Sequence, residues 1–146
     1  MTLGSDFPWN IAFSERPPAV VPSDAGVVRV GLALGLRAID ALVADGSDVG
    51  PVKYCLLHHR LLVPVEPGSV HRWRAAHSDC VPAPRSWGCD ASGYRGCSGL
   101  WVTRPGTPLI EATAAEALHD ALSRTRAGLR SALSTPYPRH RQVCRA

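Results

Sequence analysis

Two apolar runs, Val52 to Leu57 and Leu61 to Val65, flank His58-His59-Arg60. Runs of this length bounded by polar residues read as strands, and so short a connection makes the pair antiparallel. The spacing predicts a β-hairpin with its basic tip exposed. Glu66-Pro67-Gly68-Ser69 then reads as a turn, because Pro presets φ and Gly accepts positive φ. A short helix over Ser69 to Ala76 is expected to carry Trp73 inward.

Two long helices are expected around this hairpin. Ser23-Asp24 can cap the first, which runs to about Asp45, with Gly46 as a left-handed stop. Val28, Leu32, Leu36, Ile39 and Val43 recur every three or four residues and build one buried face. Gly31 and Gly35 weaken that helix by about 1 kcal/mol each relative to Ala but let a strand approach closely. The second helix opens on Thr113-Ala-Ala-Glu116, a capping box. Leu118, Leu122, Leu129 and Leu133 form its stripe, and Pro136 and Pro138 end it. Leu100 to Thr103 reads as a buried strand, and alternation at Trp9, Ile11 and Phe13 suits a short edge strand.

The predicted fold class is α+β: a small antiparallel sheet covered by two long helices, with an irregular Cys/Gly/Pro-rich insert. The predicted organisation is an extended segment over 1–22, one domain over 23–135 with the insert at 77–98, and a basic tail over 136–146. The chain has 146 residues, of which 45% are hydrophobic and 19% charged. This composition suits one globular domain and excludes collagen, coiled coil and membrane protein. No basic-then-apolar leader opens the sequence, and Arg29, Arg37 and Asp40 interrupt its longest apolar stretch. The expected location is the cytoplasm, with no membrane partner. There thiols stay reduced, so five cysteines point to metal or burial before disulfides.

The densest chemical constellation is His77, Cys80, Cys89 and Cys97, spaced H-x2-C, C-x8-C and C-x7-C. Zinc takes four N or S ligands in a tetrahedron, and an insert without its own core gains from such a clip. These four residues are the expected zinc ligands. Cys55 lies in a strand and Cys144 in the tail, and neither joins the set easily. Cys55 beside His58 or His59 is the nearest approach to a thiol–imidazole nucleophile, but a hydrophobic strand disfavours a thiolate. The acids are scattered, with no D-x-D, and no phosphate loop or nucleophile elbow occurs. The reading leans away from an enzyme.

The net charge is +4, carried by fifteen Arg and one Lys. Arg usage with abundant Ala, Gly and Pro suggests a high-GC bacterial genome. Asp120 is the last acidic side chain, and Arg124, Arg126, Arg130, Arg139, Arg141 and Arg145 follow it. Such a run can attract phosphate or can simply be a solvated helix end. In the middle of the chain Trp73, Trp87, Tyr94 and Trp101 alternate with Arg72, Arg74, Arg85, Arg95 and Arg104. Guanidinium groups can neutralise phosphates while rings stack on unpaired bases. Trp73 and Trp101 are expected in the core, and Trp87 and Tyr94 at the surface. The nucleic-acid contacts drawn from this pattern are Arg60, Arg72, Arg74, Arg85, Trp87, Tyr94, Arg95, Arg104, Arg124, Arg139 and Arg141.

Five segments share an order with a known family. They are Ala25-Gly26, Gly35-Leu36-Arg37-Ala38-Ile39-Asp40-Ala41-Leu42, Gly50-Pro51-Val52, Arg60 through Ser69, and Leu100-Trp101-Val102-Thr103-Arg104-Pro105. Over residues 19 to 105 the chain resembles actinobacterial primase–polymerase N-terminal domains. The resemblance implies nucleotide and template binding with metal-bound carboxylates. It departs where the family has an acidic strand: Pro18-Ala19-Val20-Val21-Pro22 carries no acid. Two-metal nucleotidyl transfer needs such ligands.

The leading expectation is therefore a non-catalytic, nucleic-acid-associated accessory or regulator, linked to replication of a bacterial plasmid or mobile element. One alternative is a protein-interaction module with a structural zinc site. Another is a small-molecule enzyme using Cys or His in the insert.

Overall fold

The computed structural model describes residues 9–83, 87–89, 97, 99–104 and 110–134. In chain order the elements are β1 Asn10–Phe13, β2 Gly26–Gly31, α1 Leu32–Ala44, β3 Val52–Cys55, β4 Arg60–Val65, β5 Ser78–Pro82, β6 Leu100–Thr103 and α2 Ala115–Ser134. A single 3-10 turn covers Val70–Arg72. The six strands form one sheet in the order β1-β6-β3-β4-β2-β5. Every neighbouring pair in it is antiparallel. The α+β class holds, and the expected hairpin is β3–β4, with Cys55 opposite Arg60.

The expected first helix divides in two. Residues 26–31 form β2, a central strand between β4 and β5, and only Leu32 onward is helical. Val27, Val28 and Val30 are all fully buried, which requires cover on both faces of the strand. A strand buried on both faces loses its alternation, so its apolar run also fits a helical stripe. Gly46 ends α1 at positive φ, as expected. Gly35 fits α1 onto the sheet: a Cβ there would meet Leu61 and Val30 side-chain atoms at 2.7 and 2.8 Å.

The capping box of α2 does not form. Thr113 Oγ1 instead accepts the Gly50 N–H at 3.0 Å, and the Ala115 N–H donates to Glu66 Oε2 at 2.8 Å. A carboxylate at this position satisfies one free amide and opposes the positive end of the helix dipole. The helix expected over Ser69 to Ala76 shrinks to the 3-10 turn, although Trp73 is buried as expected. Leu133 is 87% exposed, so the apolar stripe of α2 is buried only at its start.

The two faces of the sheet carry different cores. On one, Val28, Val30, Tyr54, Leu61 and Val63 meet Ile39 and Leu42 of α1 and Leu118 and Leu122 of α2. The other holds Val27, Cys55, Leu62 and Trp101, packed with Val21, Ala25, Trp87 and Cys89. Strand alternation also sends Lys53 to this second face, because Val52 and Tyr54 face the helices. No described helix is long and apolar enough to cross a membrane.

Candidate metal centre

Cys55 ends β3, and the chain then turns through four residues to enter β4 at Arg60. Leu56 and Leu57 project into solvent, 51% and 61% exposed. His59 takes φ of 52°, a left-handed conformation that helps reverse the chain. The turn folds His58 back under the second face of the sheet. His58 Nδ1 stands 3.2 Å from Cys55 Sγ, 3.1 Å from Cys89 Sγ and 3.4 Å from Cys97 Sγ. Cys89 Sγ and Cys97 Sγ are 3.4 Å apart. One ligand atom from each of the four residues lies within 4.8 Å of every other.

This donor set fits zinc. Zinc bonds of about 2.0 Å to nitrogen and about 2.3 Å to sulfur put tetrahedral neighbours roughly 3.5 to 3.8 Å apart. The observed separations need only a small expansion to admit the ion. They are too long for a disulfide, whose sulfurs sit about 2.05 Å apart. Three thiols and one imidazole fill a tetrahedron without a place for water or substrate, as in structural rather than catalytic zinc sites.

Electrostatics at the centre are uneven. Burial pushes the Cys89 thiol up to about 12, helped by its hydrogen bonds to Cys97 and Cys55. For Cys97 burial also raises the value, but hydrogen bonds from Cys89 and Cys55 and the Lys53 charge outweigh it and hold that thiol below its ordinary range. Lys53 is only 2% exposed. Its Nζ donates to the Trp87 carbonyl at 2.7 Å. Burial lowers its pKa, while Cys97, Cys55, Cys89 and Glu15 act in the opposite sense. Three thiolates and a divalent ion carry one net negative charge, which a buried ammonium beside them offsets.

The centre differs from the set expected from sequence. Cys89 and Cys97 belong to it, while His77 and Cys80 do not. Cys80 points from β5 to the helix-bearing face and packs against Gly26, and burial pushes its thiol up to about 11. His77 is exposed in the turn before β5, at φ of 60°. Cys55 and His58 take their places. The two-residue spacing Cys55-x2-His58 was the available signal; reading His58 as an exposed hairpin tip concealed it.

No protein-family model, curated protein or solved structure matches the chain.

The arginines expected to contact nucleic acid are dispersed. Arg60 lines a groove with Arg29, His77 and Asp79, where Arg29 and Asp79 pair through 2.9 and 2.6 Å hydrogen bonds. Arg72 lines another with Glu66, Glu116 and Asp120. Arg124 is paired with Asp45 at 3.0 Å. Arg104 is partly buried just after β6. Trp87, expected at the surface, is 6% exposed and meets Trp101 edge-on with ring centroids 5.3 Å apart. It is therefore a core residue, and no base can stack on it. Arg85, Tyr94, Arg95, Arg139 and Arg141 lie outside the described residues. Arg74, also expected to contact nucleic acid, lies in a groove without carboxylates, together with Arg126 and Arg130.

Proposed function

We propose that the chain is a non-enzymatic binding module whose second sheet face is held by a structural zinc ion on Cys55, His58, Cys89 and Cys97. The observation that carries this reading is the convergence of three sulfurs on His58 Nδ1 at 3.1 to 3.4 Å. Four protein ligands leave a tetrahedral ion no open coordination site, so its contribution is to stability. Cys55 and His58 come from the hairpin, and Cys89 and Cys97 from the segment between β5 and β6. One ion would cross-link the hairpin to a segment whose described residues belong to no strand. The free energy of binding then becomes folding free energy for that face.

Metal analysis of the purified protein tests this reading. One zinc per chain is expected, lost on Cys55→Ser or His58→Ala and retained on Cys80→Ser or His77→Ala. Cobalt substitution should give the intense visible bands of tetrahedral thiolate coordination. Absence of stoichiometric metal from protein purified without chelator, together with failure to take up cobalt, overturns it.

A further inference from the structure

A groove of about 430 Å³ runs between α2 and the segment that follows Trp73. Arg126 and Arg130 form one wall, four residues apart on the same face of the helix, and Arg74 faces them from the other segment. The floor is apolar, with Ala75 and Leu122 both buried, and Ser123 adds a hydroxyl. None of the lining residues is acidic. Among the described residues, these three arginines make no ion pair; the ion pair of α2's arginines is that of Arg124 with Asp45.

Like charges four apart on a helix repel, and a third cation across a narrow groove adds to that repulsion. An anion between them reverses its sign. Guanidinium is planar and offers paired donors that match a phosphate in two-point contact. The groove is open at the surface rather than closed round a small ion, and further arginines follow α2 in sequence, at Arg139, Arg141 and Arg145. No aromatic ring lines it, so it offers no platform for bases.

We infer that the groove between Arg74 and the Arg126–Arg130 face of α2 is a binding site for the phosphodiester backbone of nucleic acid, indifferent to sequence. Contacts confined to phosphate fix position and carry no base information. This inference goes beyond the zinc reading and does not rest on it, since the groove lies against α2 and the metal ligands lie under the opposite face of the sheet.

Fluorescence anisotropy of a labelled oligothymidylate, titrated with the full chain at several salt concentrations, tests the site. Binding is expected at low salt, falling linearly on a log–log plot. The double variant Arg126→Gln/Arg130→Gln should bind at least tenfold more weakly. Its slope should be shallower by about 1.4, since each single-strand phosphate contributes about 0.7. Arg37→Gln, on the exposed side of α1, serves as the control and should bind like the parent. Helical circular dichroism of the double variant should match the parent, because Arg130 is exposed and Arg126 only half-buried. An unchanged affinity and slope in the double variant overturns the inference, as does failure to bind single-stranded or duplex DNA at low salt. Polyglutamate that displaces the oligonucleotide equally well at matched charge would also overturn it, and would mark the groove as a surface for acidic proteins. Zinc content measured on the same samples reads the metal centre separately, so either proposal can fail alone.

Discussion

Lys53 Nζ donates a hydrogen bond to the Trp87 carbonyl at 2.7 Å, tying a central strand to the segment that brings in Cys89. The ammonium is buried beside three cysteine sulfurs, which with Glu15 oppose the cost of its burial. Lys53→Met keeps the volume and removes both the charge and the donor. It should weaken zinc binding by about 10- to 100-fold, the usual effect of losing a group that supports metal ligands. Competition with a chromophoric chelator measures this. An affinity equal to that of the parent would separate Lys53 from the metal.

Gly50 has no room for a side chain. A Cβ there would stand 2.9 Å from Ala112 Cα, and its N–H is held by Thr113 Oγ1. The obstruction is backbone and cannot rotate away. Gly50→Ala should destabilise the fold by about 2 kcal/mol, within the range seen for overpacked cores. Urea unfolding followed by circular dichroism gives the value. Gly46→Ala probes another glycine, at φ of 73°, with nothing near its Cβ, and should cost only about 1 kcal/mol through backbone strain.

The carboxylate of Glu66 caps a helix from outside its own sequence. Glu66→Ala should destabilise α2 by about 1 kcal/mol, as typical cap removals do. Glu116→Ala, which removes the partner expected from the local capping motif, should have a much smaller effect. Thermal melts of the two variants side by side distinguish the long-range cap from the local one.

Cys80 should be inert in the native protein. Burial raises its thiol to about 11, so it stays protonated at neutral pH, and the thiolate is the reactive form. The sign follows: alkylation should be slow at pH 7, quicken about tenfold per pH unit, and level off only above pH 11. Peptide mass spectrometry after timed treatment with iodoacetamide measures this. Rapid labelling of Cys80 at pH 7 in folded protein would contradict its burial.

Much of the architecture can be read in the residues. The hairpin, the strand at Leu100 and the stop at Gly46 come from local chemistry: apolar runs and a left-handed glycine. The helix after Thr113 is legible from its leucine spacing, but its cap comes from Glu66 and not from the local motif. The segment 26–31 misleads because a strand covered on both sides has no polar alternation, and its valines coincide with a helical period. The candidate metal cluster is half legible for a related reason. Cys89 and Cys97 stand in a segment rich in glycine and proline that has little else to hold it. Cys55 and His58 look like strand and tip until the sheet places their turn over those thiols. Sequence distance concealed the pairing: thirty-one residues separate His58 from Cys89, against eight between Cys89 and Cys97.

The division of the sheet into two differently secured faces has a consequence for how the molecule would fail. The helical side is fastened by side-chain packing and by the hydrogen bonds of Thr113 and Glu66, whereas under the proposed zinc reading the reverse side would depend on an ion that acid or a chelator can withdraw. Stripping the ion would leave strands and helices in place and uncover Val27, Leu62 and Trp101 as a greasy underside. Such a partly opened form would stick to its own kind before it unravelled, so the first sign of metal starvation would be turbidity rather than loss of helical signal.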